Sequence, residues 1–161
     1  MLFLCSIYAL RASEVMKLTL DDFDWFNETF IVRRAKQGRI QQFPLQFEVG
    51  EVILSYLRNG RPTCKCRNLF VTLKPPYHCL GPQTLRNIVV SQMTTLGISS
   101  ERNGPHALRH ACATQLLRRG SSLRDIADFL GHRDMSSVFI YAKYDLRKLS
   151  QVADFSLAGV R

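Results

Sequence analysis

Apolar residues recur at helical intervals from Met1 to Leu18, through Leu4, Ile7, Tyr8, Val15 and Leu18, which predicts a helical opening. No Ser, Thr, Asp or Asn precedes it as a cap, so the chain reads as cut into at its start. The pattern then changes. Trp25, Thr29 to Val32, Ile40, Phe43 and Leu45 are β-formers on either side of the turn signal Lys36-Gln37-Gly38, predicting an antiparallel hairpin with a basic tip. Helical spacing returns from Phe47 to Leu57 and is stopped by Asn59-Gly60-Arg61-Pro62. Leu69 to Leu73 is expected as a short strand, broken by Pro75-Pro76. Beyond it, Gly81-Pro82 opens a helix that runs to Gly97, and Pro105 opens another that Gly120 closes. Ser122 with Asp125 caps a short helix ending at Gly131. Val138 to Tyr144 gives one more turn or helix, and Leu146, Leu149, Val152 and Phe155 a last amphipathic segment. The expected fold is mainly α with a small antiparallel sheet near the N-terminus, an α+β arrangement in one domain over residues 1–161.

Composition narrows the partners. Twenty-two Lys and Arg against 13 Asp and Glu leave a formal charge of +9, which favours polyanions, nucleic acid first among them. The apolar opening ends at Arg11, short of the roughly 20 residues that span a bilayer, and it lacks the basic start of a signal peptide. Five cysteines, an odd number without secretory context, predict reduced thiols in a cytoplasm. Cys64, Cys66, His78 and Cys79 offer metal-ligand chemistry in an unusual spacing, against the plainer reading of free thiols on a loop and strand edge.

The chemistry concentrates in short strings. His106 and Arg109 of HALRH stand three apart in the first turns of the Pro105 helix, where the dipole and free amides already favour an anion. Alternatively, Arg109 is a solvated surface residue and His106 a cap. LGH, Leu130 to His132, ends the next helix, and IYAKY, Ile140 to Tyr144, brings a phenol near an imidazole. Upstream, ALRASE places Arg11 and Glu14 on one helical face, and Lys36 sits at the hairpin tip. His110, about 100° around the helix from Arg109, reads as structural.

In that order, the RxSE helix, the hairpin lysine, HxLRH, LGH and a tyrosine nine residues after that histidine resemble the catalytic domain of the tyrosine recombinases, the phage integrase family. The resemblance spans essentially the whole chain. It implies that Arg11 and Arg109 clamp a scissile DNA phosphate, which suits the fixed fork and permanent charge of guanidinium. It further implies Tyr141 as nucleophile, His106 as its base, Lys36 as the acid for the departing oxygen, His132 as a hydrogen-bond donor to phosphate, and Glu14 behind the arginine. Arg39, beside Lys36 on the hairpin, joins Arg11, Lys36 and Arg109 as a DNA contact. Tyr144, three residues on, is the alternative nucleophile.

The implied activity is site-specific DNA strand exchange through a 3′-phosphotyrosine, on double-stranded DNA and in an oligomer, with no cofactor or metal. No GxxxxGK string is present to supply ATP chemistry. Rivals are a type IB topoisomerase and an inactive DNA-binding remnant of the same fold. Two departures stand out: the family commonly has Gly before the Leu-Arg pair, where this chain has Ala9, and a basic residue near Gln41, which is neutral here. The family's N-terminal DNA-clamping domain is expected to be missing, to be supplied separately if at all.

Overall fold

In a computed structural model the protein is described over residues 1–34, 39–98 and 103–131. The apolar opening is two short helices, α1 (Leu2–Ser6) and α2 (Ala12–Lys17), with a turn between them. This corrects the expectation of one helical face over Met1 to Leu18. The apolar spacing continues through the turn because Tyr8 is held by the sheet: its ring packs edge-on against Phe30 and Phe43, and its hydroxyl donates to the Pro44 carbonyl at 2.9 Å. Ala9 takes a left-handed φ of 51°, which no α-helix accepts.

One turn of 3-10 helix, Leu20–Asp22, leads into β1 (Phe23–Asp24), β2 (Thr29–Arg33) and β3 (Ile40–Pro44). They form an antiparallel sheet in the order β1-β2-β3, with Phe30 opposite Phe43 and Arg33 opposite Ile40. Leu69 to Leu73 forms no strand, contrary to expectation. Its neighbours on both sides are irregular, so pairing stops at the isolated bridges Thr19–Asn68 and Val71–Cys79.

Among the described residues four helices follow where the pattern puts them: α3 (Phe47–Asn59), α4 (Pro82–Thr95), α5 (Pro105–Arg118) and α6 (Leu123–Leu130). Proline supplies the first residue of α4 and α5, where its missing N–H costs nothing. Ser122 caps α6, accepting the Asp125 N–H at 3.1 Å, and Gly131 ends it at a φ of 63°.

The main core gathers Leu4, Tyr8, Leu10, Phe30, Val32, Phe43, Val49, Leu69, Leu85 and Val89. A smaller cluster of Ala9, Cys112, Ala113, Ile126, Ala127 and Leu130 packs α5 and α6 against the first turn. Its small side chains let backbones approach, so that polar groups on the three segments reach one another. Among the described residues no helix is long and apolar enough to cross a membrane.

Candidate active site

The site is built where the α1–α2 turn, the hairpin arms and the ends of α5 and α6 meet. Arg11 is the residue that caps α2, in an extended conformation, and not a residue of the helical face that its spacing to Glu14 suggested. The two still meet, because a capping position and the third helical residue exchange bonds across the first turn. The Arg11 N–H donates to Glu14 Oε2 at 2.8 Å, and Arg11 Nη1 to Glu14 Oε1 at 2.8 Å. The Arg11 side chain retains 26% of its surface while that of Glu14 retains none.

Burial alone would raise the Glu14 pKa. The Arg11 amide, the charge of Arg34 and the Arg11 side chain outweigh it, holding the carboxyl below the usual glutamate range. Arg34 is a residue the sequence reading passed over. Only 3% exposed, it donates from Nη1 to Glu14 Oε2 at 2.9 Å. It also donates from Nε and Nη2 to Gln41 Oε1, at 2.9 and 2.7 Å, and from Nη2 to the Phe129 carbonyl at 2.7 Å. The missed signal was the period of two: Phe30 and Val32 face inward, so Arg34 is the next inward position beyond β2. Its place also accounts for the neutral Gln41, since a cation there would stand against a buried guanidinium.

Arg109 is 5% exposed, which sets aside the solvated-surface alternative. Its Nη1 donates to the Ala9 carbonyl and its Nη2 to the Leu130 carbonyl at 2.7 Å. One guanidinium therefore ties the turn two residues before Arg11 to the end of α6. A flat fork with parallel donors can do this, whereas a lysine ammonium lacks that shape.

His106, second in α5, is exposed, so the sequence pair shares a helix but not an environment. The α5 helix begins behind Gly104, at a φ of 87°, without a side-chain cap or an acidic residue in its first turn. With no side-chain cap among the described residues, the first amides and the dipole leave this end suited to an anion. His110 is half-buried; the Thr114 hydroxyl donates to its carbonyl at 3.0 Å. Arg39 is exposed, and its carbonyl accepts the Arg34 N–H at 2.9 Å, closing the hairpin arms. Lys36, His132, Tyr141 and Tyr144 lie outside the described residues, as does the tail from Leu146 to Phe155.

Among the described residues, no group of three or more His, Cys, Asp or Glu is placed to hold a metal ion. Cys64 and Cys66 are half-buried and Cys79 exposed, while Cys5 and Cys112 are buried. Burial pushes the Cys5 thiol up to about 11, so it carries no thiolate at neutral pH.

The sequence pattern of the Phage integrase family matches residues 1–147. Two sequences of Sinorhizobium fredii (strain NBRC 101917 / NGR234) named as integrase/recombinase are similar. To y4rA the chain is 42% identical over 89% of its own length and 35% of the relative's; to y4gC it is 38% identical over 93% and 78%. Tyrosine recombinase XerC of Bacillus subtilis (strain 168) is 33% identical over 82% of this chain and 44% of its own. The chain thus spans less than half of y4rA and XerC. Among solved structures, XerH recombinase bound to palindromic difH substrate has the same fold at a TM-score of 0.75 and 24% identity, over 94% of this chain and 43% of that one. XerA recombinase matches at a TM-score of 0.73 and 24% identity, over 98% and 56%.

Proposed function

The chain belongs to the phage integrase family, and from that membership we propose that it is the catalytic part of a tyrosine recombinase, which cuts and rejoins double-stranded DNA at specific sites. The observation that carries the reading is the pair of arginines joined through one turn. Arg109 bonds the carbonyl of Ala9, and Arg11, two residues on, is oriented by Glu14 and keeps part of its side chain in solvent.

In this reading Arg11 and Arg109 meet the non-bridging oxygens of the scissile phosphate and stabilise the charge that builds on them. Held in advance by Glu14, Ala9 and Leu130, they need little reorganisation when that charge appears. The Tyr141 oxygen attacks phosphorus, forming a phosphotyrosine bond as the bond to the 5′ oxygen breaks. The phenol proton passes to His106, because a phenol near pKa 10 attacks poorly unaided at neutral pH. Lys36 protonates the departing 5′ oxygen, and His132 donates to the phosphate. Rejoining runs the same steps backward, so the phosphodiester energy is conserved.

The formal +9 supports DNA as partner and predicts salt-sensitive binding, with Arg39 and Lys36 contacting backbone phosphates. Assembly as an oligomer on DNA, a cytoplasmic location and a DNA-clamping domain as partner belong to the same proposal.

A nicked suicide substrate tests it. Loss of the short 5′-hydroxyl fragment prevents rejoining, so a covalent protein–DNA adduct accumulates at low salt. Tyr141→Phe should abolish the adduct and keep DNA binding, while Tyr144→Phe should retain both. An adduct that survives Tyr141→Phe but not Tyr144→Phe moves the nucleophile to Tyr144. Binding without any adduct, even with a relative's clamp domain added, favours the inactive DNA-binding remnant.

A further inference from the structure

We propose that Arg34 is a positioning residue for Arg11: it shares the Glu14 carboxylate that aims Arg11 and locks that carboxylate to the end of α6. The inference deepens the reading above and rests on it for its catalytic consequence. The geometry is specific. Glu14 Oε2 receives both the Arg11 amide at 2.8 Å and Arg34 Nη1 at 2.9 Å, so the two arginines compete for and fix one oxygen. With no solvent-exposed surface, that carboxylate has no water to replace either partner.

The other side of the guanidinium is equally committed. It reaches Gln41 on β3 and the Phe129 carbonyl in the last turn of α6, and it lies 5.5 Å over the Phe43 ring. Gln41 extends the connection, donating from Nε2 to the Asp128 carbonyl at 3.2 Å. Gly131 leaves the space that this requires: a Cβ there would come within 2.6 Å of Arg34 Nε. Arg34 thus has α2, both hairpin arms and the α6 terminus as fixed references. A surface ion pair could not transmit position in this way, because solvent would screen it and its rotamers would average. Nothing in this arrangement places Arg34 against the phosphate, and its action is through Glu14.

Two measurements test the proposal, and they fail separately. In the free protein, Arg34→Met should speed hydrogen exchange at the Arg11 amide by about tenfold, while amides in the interior of α3 keep their rates. Arg34→Lys, which keeps the charge and loses the fork, should give a smaller change in the same direction and serves if the Met variant does not fold. An unchanged Arg11 amide overturns the proposal whether or not the protein cleaves DNA.

On the suicide substrate at saturating DNA, Arg34→Lys should lower the single-turnover rate of adduct formation by about tenfold to a hundredfold, with half-saturation shifted less than about threefold. Combined with Glu14→Gln, it should cleave no more slowly than the slower single variant, since both act on one carboxylate. Effects that multiply, or that track the loss in melting temperature alone, overturn the positioning role. If the parent forms no adduct, the recombinase reading falls, and the exchange at Arg11 still decides whether Arg34 holds Glu14.

Discussion

The turn between α1 and α2 and the end of α6 both pass through left-handed backbone beside a buried arginine, yet one does so with alanine and the other with glycine. Ala9 has a φ of 51° and Gly131 a φ of 63°. At Gly131 two penalties coincide, because a Cβ would be strained by the backbone and would also enter the space of Arg34 Nε. At Ala9 only the first applies. Its methyl is fully buried in the small cluster with Cys112, Ala113 and Ile126, and its carbonyl holds Arg109. Burying a methyl returns about 0.8 kcal/mol, comparable to the lower end of the cost of a left-handed L-residue. Alanine is therefore accepted in left-handed backbone where packing uses the methyl, and glycine is favoured where packing needs the room.

The largest way to break this comparison is to remove the group that joins the two regions. Arg109→Lys should lower the rate of adduct formation by orders of magnitude, since one ammonium cannot reproduce the fork between Ala9 and Leu130 while meeting phosphate. DNA binding, measured in parallel, should change much less. A variant that loses affinity but cleaves within a few-fold of the parent would reduce Arg109 to a DNA contact.

Glu14→Gln comes next. It leaves the buried Arg34 without a counter-charge and should cost about 3 kcal/mol in denaturant unfolding, the lower end for a broken buried pair, because the amide oxygen still accepts. The same variant carries the pH prediction. The Glu14 carboxyl is held below the usual glutamate value, so its contribution is present above about pH 4.3 and is lost as pH falls through the lower folded value. The parent should lose stability over that acidic range more steeply than Glu14→Gln, by melting temperature against pH. Parallel curves would mean that the shift is not realised.

Gly131→Ala should cost about 2 kcal/mol, from strain at positive φ plus displacement of the Arg34 side chain. The smallest effect belongs to Ala9→Gly. Backbone relief opposes the lost methyl and the looser unfolded chain, and the net change should stay within about 1 kcal/mol. A stabilisation by Ala9→Gly as large as the cost of Gly131→Ala would show that backbone strain alone governs both.

Much of this frame was legible in advance, for local reasons. The boundaries of α4, α5 and α6 follow from Pro82, Pro105, Ser122 and Gly131, whose effects act within a turn of the residue itself. The hairpin arms were legible from the β-formers on either side of Lys36-Gln37-Gly38. The break at Ala9 was not, because Ile7 and Tyr8 keep a helical spacing while packing on elements that are distant in sequence. Arg34 was overlooked because adjacent arginines resemble a solvated pair, although alternation leaves Arg33 exposed, with only its tip on buried Asp22, and turns Arg34 inward to Glu14.

By itself, then, the sequence determined the order and most limits of the helices, the hairpin, the surplus of positive charge and the family-like strings around Arg11, His106 and Arg109. Local propensity and short-range capping suffice for these. Only the tertiary structure decided that Arg11 caps a helix instead of lying along one, and that His106 is exposed where Arg109 is buried between two carbonyls. It also decided that Glu14 serves two arginines. Those outcomes depend on which segments meet across tens of residues, where burial removes water as a competing partner and makes each remaining hydrogen bond obligatory.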